Sequence, residues 1–170
     1  MKKAASIFII SFTFILSLAA QKTVPKDVMQ KIYNEVKTPY KYGLVIAPDD
    51  NKHKMDCPTV FRENGKWYMS YLVYDGKGGK DGRGYETWLA ESDDLLNWNT
   101  LGRILSFPEK GKGRWDENQR AGYIALIDYE WGGSYKAQKF DNKYWMSYFG
   151  GQGQGYEQGR LEEGIAYTER

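Results

Sequence analysis

One cysteine and one histidine in 170 residues exclude more chemistry than any motif in the chain establishes. A lone Cys57 cannot close an internal disulfide, although the compartment argued below is oxidising. With His53 as the only histidine there is no Cys/His cluster to hold zinc, and catalysis through a histidine base would rest on that one residue. Charge of one sign is missing too. Twenty-four basic residues face 22 acidic ones, a formal +2, which gives no field for nucleic acid or a membrane surface. The one long apolar run, 4–18, follows Lys2 and Lys3 and ends in small residues at Ser17, Ala19 and Ala20. It is short for a membrane span, and its flanks make 1–20 a secretory signal peptide, with an uncleaved anchor as the alternative. An exported protein, periplasmic or extracellular, is expected, with no membrane span once the leader is removed.

Aromatic residues are abundant, 16% of the chain with six Trp and 14 Tyr. They favour strands and also form stacking surfaces for sugars. The stretch 56–98 reads as one four-stranded antiparallel unit. The run 59–62 is β-rich, and Asn64-Gly65 is a strong hairpin turn. Strands are expected at 67–74 and 85–91, a polar turn at 92–97, and a fourth strand from Trp98 to about Leu105. Four short strands in meander order describe one β-propeller blade.

The unit recurs. Lys66-Trp67-Tyr68-Met69-Ser70-Tyr71 returns as Lys143-Tyr144-Trp145-Met146-Ser147-Tyr148, 77 positions later. Leu89-Ala90-Glu91-Ser92 returns as Ile165-Ala166-Tyr167-Thr168, and a Gly-rich loop separates the two blocks in both copies, at 76–84 and 150–159. Such periodicity marks a repeat architecture. Ahead of it, Val24-Pro25-Lys26-Asp27 opens a short helix with Val28, Ile32 and Val36 on one stripe, and Thr38-Pro39 closes it. A lone strand is expected at 42–47. The meander places the loop 75–84, the segment 53–56 and an insertion at 106–133 on one face, where loops carry function.

These residues resemble a family. Asp56-Cys57-Pro58-Thr59-Val60, an aromatic strand with Tyr68-Met69-Ser70-Tyr71, and Leu89-Ala90-Glu91-Ser92-Asp93-Asp94-Leu95-Leu96-Asn97-Trp98 look like a blade of the five-bladed propeller glycoside hydrolases, the family 43 type with relatives in families 32, 117 and 130. The resemblance implies an all-β fold: a partial propeller of about two four-stranded blades, the N-terminal portion of the whole. The expected layout is signal peptide 1–20, helix and linker 21–41, and partial propeller 42–170, with blade one at about 56–105, insertion 106–133 and a truncated blade two at 134–170. The end of the chain then falls within a structural unit, so missing C-terminal blades or self-assembly would complete the ring, and the chain alone is expected to be inactive.

The resemblance further implies an aspartate at the start of an innermost strand as general base or nucleophile, a glutamate from a later blade as general acid, and a second aspartate tuning it. Asp56 matches the first of these, and glycoside hydrolysis needs paired carboxylates. The second blade departs from the pattern. At the offset of 77, Asp56 falls on Gly133 and Pro58 on Tyr135, so no aspartate stands there. Glu130 is the second catalytic candidate, with Glu157 in the second Gly-rich loop behind it. Asp75, Asp128, Trp131 and Tyr135 are expected to bind substrate. Trp115, Tyr123, Trp131 and Tyr135 could each stack a sugar ring or pack the core. Ser92-Asp93-Asp94 with Trp98 reads as a structural turn and anchor on the opposite face. The loop 75–82 lacks calcium-ligand spacing, and no metal or organic cofactor is expected. The expected activity is hydrolysis of glycosidic bonds in a poly- or oligosaccharide. A carbohydrate-binding propeller without paired carboxylates and a phosphorolytic relative with a basic phosphate pocket are the alternatives.

Overall fold

The computed structural model describes residues 23–37, 43–48, 50, 53–76 and 82–169. The expected signal peptide, Thr38-Pro39 and most of the first Gly-rich loop lie outside them. The chain divides into two units, 1–41 and 42–170. In the first, Lys26–Val36 forms helix α1. Pro25 caps it in an extended conformation, and Asp27 sits in the first turn, where a negative charge meets the positive end of the helix dipole. The Lys37 N–H closes it on the Tyr33 carbonyl.

The second unit is β. Its first sheet is the expected meander: β1 (Lys54–Glu63), β2 (Lys66–Tyr74), β3 (Tyr85–Ser92) and β4 (Asn99–Leu105), paired in that order and antiparallel. Asn64 and Gly65 both take positive φ, 48° and 83°, as the tight hairpin turn between β1 and β2 requires. The turn after β3 is built by side chains. Ser92 Oγ accepts the Leu95 N–H, and Asp94 Oδ1 accepts those of Leu96 and Asn97, each bond 2.8–2.9 Å. Trp98 donates its indole N–H to the Leu95 carbonyl and packs against the buried cluster of the adjoining face.

The second sheet comprises β5 (Gln119–Ile124), β6 (Lys139–Phe140), β7 (Lys143–Gly151) and β8 (Leu161–Thr168). β7 pairs with β8 on one edge and with both β5 and β6 on the other. Its first strand is therefore interrupted. Ala125 still donates to the Trp145 carbonyl, after which 126–138 leaves the sheet, tied by Gln138 N–H to Leu126 O and Asp128 N–H to Lys136 O, and returns as β6. Two expectations need correcting. The insertion expected at 106–133 contains β5, so the second sheet starts at Gln119 and not near 134. Residues 43–48 form no strand.

Alternation along β2 gives the first sheet two apolar faces. Leu72, Tyr74 and Tyr85 pack on Ala121, Tyr123 and Phe149 of the second sheet. Met69, Tyr71 and Ala90 face the other way, against Ile46, Met55, Trp88 and Trp98. A sheet buried on both sides is a middle layer. Among the described residues no helix is long and apolar enough to cross a membrane.

Candidate functional site

β1 does not start regularly. Its register against β2 slips between Asp56 and Thr59, and Cys57 sits at φ 46°, a left-handed conformation costly for a side-chain-bearing residue. This bulge turns the Asp56 carboxylate toward its own backbone and toward β3. Oδ1 accepts the Cys57 N–H at 2.8 Å and its thiol at 3.4 Å, while Oδ2 accepts the Tyr85 hydroxyl at 3.3 Å. Asp56 nevertheless stays exposed. Bulges that re-aim a side chain are common beside active sites.

Four tyrosines gather there. Tyr74, Tyr85 and Tyr156 meet edge to face in all three pairs, with centroids 5.5–6.0 Å apart. Tyr85 is hydrogen-bonded to Tyr156, and Tyr123 to Cys57. Burial, then the neighbouring Tyr156 and Asp56, push the Tyr85 hydroxyl far above the usual phenol range. Burial, the Cys57 contact and the charges of Asp56 and Glu157 do the same to Tyr123. Both hydroxyls therefore stay protonated and serve as neutral donors. Tyr156 keeps 38% of its surface exposed, with Lys54 Nζ 5.0 Å from its ring centroid.

Behind these residues lies a polar strip, Asp116-Glu117-Asn118-Gln119, buried despite its composition. Asp116 pairs with Arg120 at 2.8 Å and Arg114 at 3.2 Å and accepts the Tyr148 hydroxyl. Burial raises its carboxyl, but those partners outweigh it and hold it below the usual range. Glu117 accepts the Gly111 and Gly113 N–H groups, and those bonds keep it low. The Arg83 guanidinium holds Asn118 Oδ1 and the carbonyls of Pro108 and Glu117. Every member has a partner, as buried polar groups must.

The other expected residues fall into two places. Asp75 stands at the neck of the first Gly-rich loop, close to Tyr74, and accepts the Arg83 N–H. The structure does not bring Glu130, Asp128, Trp131 and Tyr135 to Asp56. They occupy the excursion 126–138, which docks at the opposite end of the first sheet. There Arg62 donates to the Tyr135 carbonyl, and Tyr135 packs on Trp67 at 6.1 Å. Asp56 pairs with Leu72 and Arg62 with Trp67, five residues along β2, a separation of roughly 15 Å. Asp128 bonds the Ser134 hydroxyl and the Ser134 and Glu130 N–H groups, which hold its carboxyl low and shape the hairpin tip. Trp115 stacks on Tyr148 at 5.5 Å as part of the core. Sequence reasoning missed Tyr85, Tyr156 and Gln119. The signal that could have found the tyrosines was position, since Tyr85 directly follows one Gly-rich loop and Tyr156 lies inside the other. Among the described residues no group of three or more His, Cys, Asp or Glu side chains could hold a metal ion.

No family model and no curated protein matches the chain. Solved structures do. One described as "Glycoside hydrolase" is 57% identical, with a TM-score of 0.79, over 87% of this chain and 42% of its own. A second, a complex of BT0996 with RGII, is 58% identical with the same TM-score and coverage. Zg3597, a family 117 glycoside hydrolase from the marine bacterium Zobellia galactanivorans, is 20% identical at a TM-score of 0.57, covering 76% of this chain and 40% of its own. That last likeness concerns the fold alone. The chain thus has a glycoside hydrolase fold and spans about two fifths of the length of the structures it matches.

Proposed function

We propose that this chain belongs to an exported enzyme that hydrolyses glycosidic bonds of a poly- or oligosaccharide, and that its two sheets are consecutive blades of a five-bladed β-propeller of the family 43 type. The observation that carries the reading is Asp56: an exposed carboxylate on a strand-opening bulge, oriented by Cys57 and Tyr85 and ringed by tyrosines. In this reading Asp56 works at the anomeric centre, activating water or attacking directly, and Tyr156 offers a ring face to the sugar. Glu157 takes the place expected of Glu130 as second carboxylate on this chain, because its charge and that of Asp56 act on the same Tyr123 hydroxyl. The high identity to a structure described as a glycoside hydrolase supports the reading.

One observation favours a second reading, a glycan-binding propeller that does not cleave. Ala121 pairs with Phe149 in the second sheet as Asp56 pairs with Leu72 in the first, so no matching aspartate stands there. A panel of glycans and aryl glycosides, with released-sugar analysis on the protein carrying this chain, separates the two. Release by the wild type and not by Asp56→Asn supports hydrolysis. Binding with no release supports the second reading.

A further inference from the structure

We propose that Gln119 is a positioning residue of the Asp56 site, its single buried amide setting the gap between Tyr85 and the loop 152–160 that carries Tyr156 and Glu157. This rests on the reading of that end of the sheets as a glycan site. Gln119 heads β5 and is 0% exposed. Its Oε1 accepts the Tyr85 N–H at 2.9 Å, and its Nε2 donates to the Gly155 carbonyl at 2.9 Å. Neither bond belongs to its own strand ladder, where its partner is Gly151.

Both contacts meet a need that the sheets leave open. Asp75 N–H donates to Gly84 O, so Tyr74 and Tyr85 are a non-hydrogen-bonded pair, and the Tyr85 N–H points away from β2. The β4 ladder ends with Leu105 opposite Thr87, so no strand lies beside Tyr85 to take that donor. Gln119 takes it. On the other side, the Gly155 N–H is shared between the Gly82 and Arg83 carbonyls at 3.1 and 3.0 Å. The Gly155 peptide is thus pinned at its N–H by the first Gly-rich loop and at its carbonyl by Gln119. Gly84 makes room, for a Cβ there would collide with the Gln119 amide and the Asn118 carbonyl.

The residue type carries the inference. Methionine would fill the same space without a polar group to bury, and a buried amide is unfavourable unless both ends are paired. Here one end holds the backbone of the tyrosine that orients Asp56, and the other holds the loop with the exposed ring. Gln119 touches no substrate in this reading. It acts through Tyr85 and Gly155.

Two variants test this, with aryl glycosides as the kinetic probe and hydrogen exchange of the Gly155 amide as a readout independent of activity. Gln119→Glu keeps an acceptor for the Tyr85 N–H but faces the Gly155 carbonyl with oxygen. It is expected to quicken Gly155 exchange at least about tenfold and raise KM about tenfold, with kcat within about threefold of wild type. Gln119→Met loses both links, and kcat should fall about tenfold as well. Unchanged KM and kcat in both variants would overturn the proposal, as would exchange that quickens equally in β2 and β7, since that marks general loosening. If the wild type releases no sugar from any probe, the glycosidase reading fails by itself. Gly155 exchange then decides on Gln119: local quickening upholds the clamp, and unchanged exchange removes it.

Discussion

Ala121 holds in the second sheet the place that Asp56 holds in the first. Asp56 pairs with Leu72, Ala121 pairs with Phe149, and Phe149 lies 77 positions after Leu72, the same offset that relates the two aromatic strands. The repeat is therefore faithful in backbone and not in chemistry: one copy presents a carboxylate where the other presents a methyl group to the core. Ala121 is 0% exposed and packs with Leu72, Tyr74 and Tyr85. Ala121→Asp should accordingly fail to add a catalytic group. An unpaired carboxylate there should lower unfolding free energy by about 3–5 kcal/mol in urea titrations.

Glu130 gives the converse expectation. It is exposed in the excursion that docks beside Trp67, at the end of the first sheet remote from Asp56. Glycan turnover by Glu130→Gln should stay within about twofold of wild type. A loss of a hundredfold or more would return Glu130 to the site.

Tyr85→Phe removes one hydroxyl and leaves the ring packing of Tyr74 and Tyr156 in place. The Asp56 carboxylate loses a donor on Oδ2. Steady-state kinetics should show kcat/KM down about tenfold, the effect of one hydrogen bond to a charged group, with the melting temperature moving by only a few degrees.

Much of this was legible in the sequence. Asn64-Gly65 fixed the first hairpin, the aromatic run at 67–74 gave β2, and Asp56 ahead of Pro58 marked the site. What misled was counting. The 77-residue offset runs through the excursion 126–138, which sits inside a strand and not between blades. Sequence alignment therefore set Asp56 against Gly133, whereas pairing sets it against Ala121. The Asp116-Glu117-Asn118-Gln119 strip was invisible for another reason. Four consecutive polar residues read as a solvated loop, and only reciprocal bonds from distant residues such as Arg83, Tyr148 and Gly155 make their burial tolerable.

That strip makes the fold sensitive to acid. The Arg114 and Arg120 partners keep Asp116 below the ordinary range against the opposing effect of burial, N–H donors from Gly111 and Gly113 lower Glu117, and the Ser134 hydroxyl lowers Asp128. Groups lowered in the folded state contribute stability that is complete above their unfolded pKa, about 4, and lost as pH falls through the folded value. Urea midpoints should hold between about pH 5 and 7 and drop below about pH 4. Asp116→Ala, which strands the buried Arg120 charge and the Tyr148 hydroxyl, should remove about 3–5 kcal/mol at neutral pH and flatten that acid limb.

The central claim is that Asp56 performs chemistry on a glycosidic bond, and the measurement that tests it most directly is released sugar from Asp56→Asn beside glycan binding by the same protein. Asp56 is exposed, so the substitution should leave the melting temperature nearly unchanged. The expected result is turnover reduced by about a thousandfold or more with glycan affinity kept within about tenfold. Undiminished release by Asp56→Asn, or a wild-type protein that binds glycans and never cleaves them, would contradict the account.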